Sequence, residues 1–125
     1  MLYLVDTNVL LRYAGLAHLM RPALRIAVRR LRANGHTFRA TSQNFVEFWN
    51  VATRPAAQNG LGLTPAQAER QLRLVERVFR RLEDSTTVYP EWRRLVVAYS
   101  VSGVKVYDAR LVAFIDKSDH SHPYF

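Results

Sequence analysis

Cysteine is absent from the 125 residues, so the chain has no disulfide and no thiolate to act as nucleophile or metal ligand. Lysine is nearly absent as well, since sixteen of the eighteen basic residues are arginine. No apolar run approaches the roughly 20 residues needed to cross a bilayer. The N-terminal apolar stretch is broken by Asp6 and is too short for a signal peptide. Neither a serine nucleophile-elbow motif nor a P-loop signature occurs. No repeat, low-complexity segment or composition shift marks a domain boundary. These absences lead us to expect one compact domain in the cytoplasm, with no membrane contact.

What is present narrows the class further. Apolar residues make up 49% of the chain, which excludes a disordered protein. Ten acids against eighteen bases leave a net charge of +8. An excess of that size favours polyanionic partners, because phosphate contacts release counterions and steer association. Charge therefore points to nucleic acid without naming a reaction.

Along the chain, "LYLV" reads as a short buried strand ending at Asp6, and "NVLLRYAG" as a brief helix stopped by Gly15. "RPALRIAVRRLRANG" predicts an amphipathic helix, with Leu24, Ala27, Val28 and Leu31 on its apolar side. "HTFRAT" alternates as a strand, and "SQNFVEFWNVAT" predicts a buried helix. The proline and glycines of "RPAAQNGLGL" predict a flexible loop. Thr64 and Gln67 form a capping box that starts the next helix. "TTVY" is the expected third strand, "PEWRRLVVAYSVSG" a helix with proline in its first turn, and "VYDARLVAFI" the start of one more. Strands alternating with helices predict an α/β domain with a mainly parallel sheet, whose ligands bind beyond the carboxyl ends of the strands. Asp6 stands at such an end.

Three acids merit weighing. Taken alone, Asp6 reads as the cap of the helix after it, and Asp108 as an N-cap, sooner than as ligands, because aspartate is a preferred capping residue. Glu47 lies on a narrow polar stripe with Gln43, Asn50 and Arg54, which taken alone is a solvated helix edge. Taken together the three change meaning. Carboxylates brought close repel, and one takes up a proton unless a cation is present. Oxygen ligands without cysteine, and without histidine in the same motifs, suit Mg²⁺ or Mn²⁺ rather than zinc. Arg54 opens the glycine-containing loop and is the expected nucleic-acid-binding residue of that segment, with the loop closing over the bound strand.

In order, spacing and flanking residues, "LVDTNVLL", the glutamate of "NFVEFWNVATRP" and "VYDARLVAF" resemble the successive acidic motifs of PIN-domain ribonucleases, and among these the VapC-type toxins of bacterial toxin–antitoxin pairs. The resemblance covers Met1 to about Ile115. It implies a PIN-like three-layer fold over residues 1–115, with a mainly parallel sheet flanked by helices, followed by an irregular tail over 116–125. It also implies a Mg²⁺- or Mn²⁺-dependent endoribonuclease toxin acting on RNA, forming a homodimer and neutralised by a cognate antitoxin. Asp6, Glu47 and Asp108 correspond to the metal-binding catalytic acids, and Thr7 and Asn8 to residues that orient Asp6 or its water. The nucleic acid met by Arg54 and its loop is then RNA.

The family pattern continues beyond the third acid with a further strand, a fourth acid and usually a last strand. Here "DKSDHSHPYF" shows no strand pattern. Asp116 would lie about 12 Å along a helix from Asp108, too far to share an ion with it. Asp119, His120 and His122 fall in the same polar tail. The expectation is a chain lacking the last strand or strands, with "LYLV" left unpaired along one edge and activity weakened. The alternative is a non-catalytic pseudo-toxin that binds antitoxin or RNA. A haloacid-dehalogenase-type phosphatase also begins with strand and aspartate, but needs an acid where Asn8 stands.

Overall fold

The computed structural model describes residues 1–15, 22–83 and 85–117, with side chains of the last helix described as far as Ala113. The chain divides into two compact units, Met1–Leu82 and Glu83–His122. The first unit is α/β. Its elements are β1 (Leu2–Leu4), α1 (Thr7–Ala14), α2 (Pro22–Ala33), β2 (Thr37–Thr41), α3 (Ser42–Thr53), a short 3₁₀ turn (Ala56–Gln58), α4 (Pro65–Val78) and β3 (Arg80–Leu82). The described part of the second unit is helical, with α5 (Val88–Ala98) and α6 (Lys105–Lys117). α6 thus runs through Asp116 and Lys117, the first two residues of the segment read as tail. Residues 118–125, with Asp119, His120 and His122, lie outside the described residues, as does the Asp116 side chain. Among the described residues no helix is long and apolar enough to cross a membrane.

The sheet has the order β1-β2-β3 and is parallel throughout. Leu2, Tyr3 and Leu4 pair with Thr37, Phe38 and Arg39, and the Val5 amide extends the ladder with a 2.9 Å bond to the Arg39 carbonyl. Among the described residues β1 has a neighbour on one side only. The third strand is not "TTVY". Arg39, Ala40 and Thr41 pair with Arg80, Arg81 and Leu82, whereas Thr86 and Thr87 form a turn and Val88 begins α5. The reason is tertiary. Phe79 is fully buried at the end of α4, and this anchor lays the three residues after it beside β2. Pro90 instead suits the first turn of a helix, where no amide donor is required.

The core of the first unit gathers Val5, Leu10, Phe38, Phe48, Val75 and Phe79 from both strands and helices. Phe79 packs edge-on against Phe38 (5.9 Å between centroids) and Tyr13 (5.2 Å), and Tyr3 stacks on Phe38 at 5.3 Å. Fully burying a side chain of this size stabilises a fold by roughly 1.5–3 kcal/mol. Local signals set the helix ends. Gly15 closes α1 at φ 76°, a left-handed conformation that glycine takes at no steric cost. The predicted Thr64–Gln67 capping box forms, with Thr64 Oγ1 accepting from the Gln67 amide at 3.2 Å and Gln67 Oε1 from the Thr64 amide at 2.9 Å.

Candidate functional site

The sheet's carboxyl end in the first unit is built by two helix starts. Asp6 follows β1 and caps α1, its Oδ1 accepting the Val9 amide at 3.0 Å. The capping reading of Asp6 is therefore correct. It leaves the second carboxylate oxygen out of the cap, and the residue is half-buried. Thr41 ends β2 and caps α3, whose polar face carries Gln43, Asn44 and Glu47.

These two starts meet through side chains distant in sequence. The Thr7 hydroxyl donates to Glu47 Oε2 at 2.6 Å, across 40 positions of chain. Gln43 Nε2 donates to Glu47 Oε1 at 3.1 Å. Asn44 Nδ2 donates to Thr7 Oγ1 at 3.3 Å, while Asn44 Oδ1 accepts from both the Thr41 amide (3.0 Å) and the Thr41 hydroxyl (2.8 Å). The donor directions form one consistent chain: Thr41 to Asn44, Asn44 to Thr7, Thr7 to Glu47. A carboxylate can only accept when ionised, so Thr7 must donate to it, and that leaves the Thr7 oxygen to accept from Asn44. Glu47 is held at both oxygens, each retaining lone-pair capacity for a further partner.

Asn44 escaped the sequence reading. It is buried to 1% exposure, and it links the α3 cap to Thr7. The signal was available: Thr41-x-x-Asn44 has capping-box spacing, with asparagine where glutamate or glutamine is usual. Asn8, expected beside Asp6, is exposed.

Arg54 is half-buried at the end of α3, and its Nη2 donates to the Asn59 carbonyl at 3.0 Å. The loop expected to be flexible is tied back onto that helix. The amides of Leu61, Gly62 and Leu63 bond to the carbonyls of Val51, Arg54 and Ala52 at 2.9–3.0 Å, satisfying acceptors that a helix end leaves open. Gly60 passes so close that a Cβ there would sit 1.9 Å from the Arg54 carbonyl oxygen.

Asp108 belongs to the second unit. It is not an N-cap, because α6 begins at Lys105 and places Asp108 within the first turn, where a carboxylate suits the positive end of the helix dipole. It is exposed and lines a cavity with Arg94, Tyr99 and Lys105. Within each unit, among the described residues, no three histidine, aspartate or glutamate side chains gather to hold a metal ion. In the first unit the candidate donors, Asp6 and Glu47, are hard carboxylate oxygens with spare acceptor capacity, and Thr7, next to Asp6 in the chain, bonds to Glu47. Their chemistry fits Mg²⁺ or Mn²⁺.

A family model described as PIN domain matches residues 3–119. No curated protein matches the chain.

Proposed function

Because the chain belongs to the PIN domain family, whose members are generally nucleases using divalent metals, we propose that it is a Mg²⁺- or Mn²⁺-dependent endoribonuclease. The observation that carries this reading is the 2.6 Å bond from Thr7 to Glu47, which holds the glutamate of the second acidic motif against the residue that follows the aspartate of the first. Asp6, Glu47 and Asp108 are the residues that would hold the ion, Asp108 by virtue of its motif. When bound, a divalent ion supplies Lewis acidity, drawing charge from a phosphodiester oxygen and making water more acidic.

The protein's own groups do the positioning. Thr7 and Gln43 fix the plane of the Glu47 carboxylate, and Asn44 fixes Thr7 from a buried position. The Asp6 backbone is set by its cap on α1. Preorganised acceptors of this kind need no reorganisation when charge develops during reaction. The resemblance to VapC-type toxins extends the proposal to a homodimeric cytoplasmic toxin restrained by a cognate antitoxin. Arg54 holds its loop through Nη2 and, with Nε buried, offers Nη1 to RNA.

The test is cleavage of single-stranded RNA with Mg²⁺, with Mn²⁺ and with chelator, comparing wild type with Asp6→Asn and Glu47→Gln. Each substitution is expected to lower the rate about 10²–10³-fold, the usual cost of one lost electrostatic contact, while RNA binding persists. Cleavage that is indifferent to chelator and to both substitutions would overturn the reading. Binding with no cleavage by wild type would favour the non-catalytic pseudo-toxin.

A further inference from the structure

Where α5 gives way to α6, the second unit holds an open cavity of about 550 Å³ lined by Arg94, Leu95, Tyr99, Lys105, Asp108 and Val112. That volume lies within the roughly 300–1,000 Å³ typical of small-ligand sites. Its wall joins an apolar floor to cations and one aromatic ring. Leu95 and Ala109 are buried, whereas Tyr99 is 73% exposed at the rim. The Tyr99 backbone is held, since its amide closes α5 onto the Leu95 carbonyl at 3.0 Å. A large ring standing in water on a fixed backbone is a stacking platform without a partner.

The two cations differ. Arg94 is locked by Glu91, which is buried to 8% exposure and accepts from both Nε (2.6 Å) and Nη2. This uses one edge of the guanidinium and orients the other, but it also neutralises the charge. Lys105 has no ion pair among the described residues and opens α6, where the helix dipole disfavours a cation. The Val106 and Tyr107 amides already bond to the Gly103 and Val104 carbonyls at 3.2 Å, so an anion bound at that point would relieve the conflict by meeting the lysine ammonium itself.

We propose that this cavity is a nucleotide subsite for single-stranded RNA. The base stacks on Tyr99 over the Leu95 and Val112 floor, and the phosphate is held by Lys105 with the free edge of Arg94. Asp108 on the same wall makes the subsite adjoin a candidate catalytic acid, so the inference deepens the ribonuclease reading and rests on it. The overall charge of +8 and the cations at the rim favour a phosphate-bearing occupant over an acidic or apolar one.

The test uses the full chain and three probes, adenosine 5′-monophosphate, adenosine and inorganic phosphate, followed by NMR titration. Tyr99→Ala should weaken the monophosphate and adenosine about tenfold, as loss of one base–aromatic stack does, and leave phosphate unchanged. Tyr99→Trp should restore binding. Lys105→Gln should weaken the monophosphate and phosphate but not adenosine, and lower the salt slope for a single-stranded oligonucleotide by about 0.7. Glu47→Gln should lower cleavage about 10²–10³-fold yet leave monophosphate binding intact, which separates failure of the subsite from failure of the nuclease reading. The proposal falls if the monophosphate does not bind, or binds equally to wild type, Tyr99→Ala and Lys105→Gln. It also falls if shifts at these residues follow protein concentration instead of nucleotide, because the surface is then an interface between copies.

Discussion

The two units bury their apolar residues to different depths. In Met1–Leu82, Phe38, Phe48, Phe79, Leu10, Val5, Val28 and Val75 are all essentially inaccessible, drawn from strands and helices together. In the described part of the other unit the larger buried side chains, Val88, Leu95 and Leu111, keep 5–8% exposure, and Val97, Tyr99 and Val104 stand mostly in water. Polar groups follow the same division. The first unit locks its carboxylate into a chain of directed hydrogen bonds from a buried asparagine. The second leaves Lys105 and Asp108 exposed around a cavity. Binding surfaces and moving elements are drawn from the less consolidated parts of a fold, because tight packing leaves no room for a ligand. The difference teaches that one unit holds a carboxylate rigidly and the other supplies open surface.

The largest expected effect would break this comparison outright. Phe48→Ala should cost about 3–5 kcal/mol, as loss of a fully buried ring does. Leu95→Ala, beside an existing cavity, should cost about 2 kcal/mol, the low end for a buried leucine. Urea denaturation of both variants checks this, and equal losses would mean the second unit is packed as tightly as the first.

A smaller effect distinguishes crowding from conformation. Gly60→Ala should destabilise by about 1–3 kcal/mol through overpacking against the Arg54 carbonyl. Gly103 has a left-handed backbone, φ 63°, with open space around it. Gly103→Ala should cost about 1–2 kcal/mol for conformation alone. Asparagine tolerates that conformation, so Gly103→Asn should recover most of the loss, while Gly60→Asn should recover none. Thermal melts of the four variants decide it, and rescue at position 60 would show that the loop is looser than its hydrogen bonds imply.

The smallest effect separates the cap made by Asp6 from its proposed role in cleavage. Asp6→Ala should lose about 1 kcal/mol of stability with its cap, whereas Asp6→Asn should hold stability within a few tenths of a kcal/mol, since asparagine caps equally well. Both should lose cleavage. If Asp6→Asn cleaves like wild type, the residue is a cap and nothing more. If both variants melt alike, the cap contributes less than its 3.0 Å geometry suggests.

Much of this was legible from local chemistry. Gly15 and the Thr64–Gln67 box marked helix ends correctly, because capping is decided within a few residues. The alternation of strand and helix gave the α/β class and the parallel sheet, and Asp6 fell at a strand end as read. "TTVY" misled because β-branched and aromatic composition is a weak guide to pairing, which depends on neighbours. "RRL" became the strand despite its charges, because buried Phe79 delivers it to β2.

The sequence by itself therefore determined the segments, their caps, their charge and the order of the acidic motifs, since each follows from periodicity or side-chain type within a turn or two of chain. Only the tertiary structure decided that Thr7 would reach Glu47 and Asn44 would reach Thr7, contacts spanning 40 and 37 residues. It alone placed Arg80 opposite Arg39, and it alone left a cavity beside Asp108. The physical reason is that capping and amphipathicity are satisfied by neighbours in sequence. Hydrogen-bond partners across elements, strand register and unfilled volume exist only once the elements have packed.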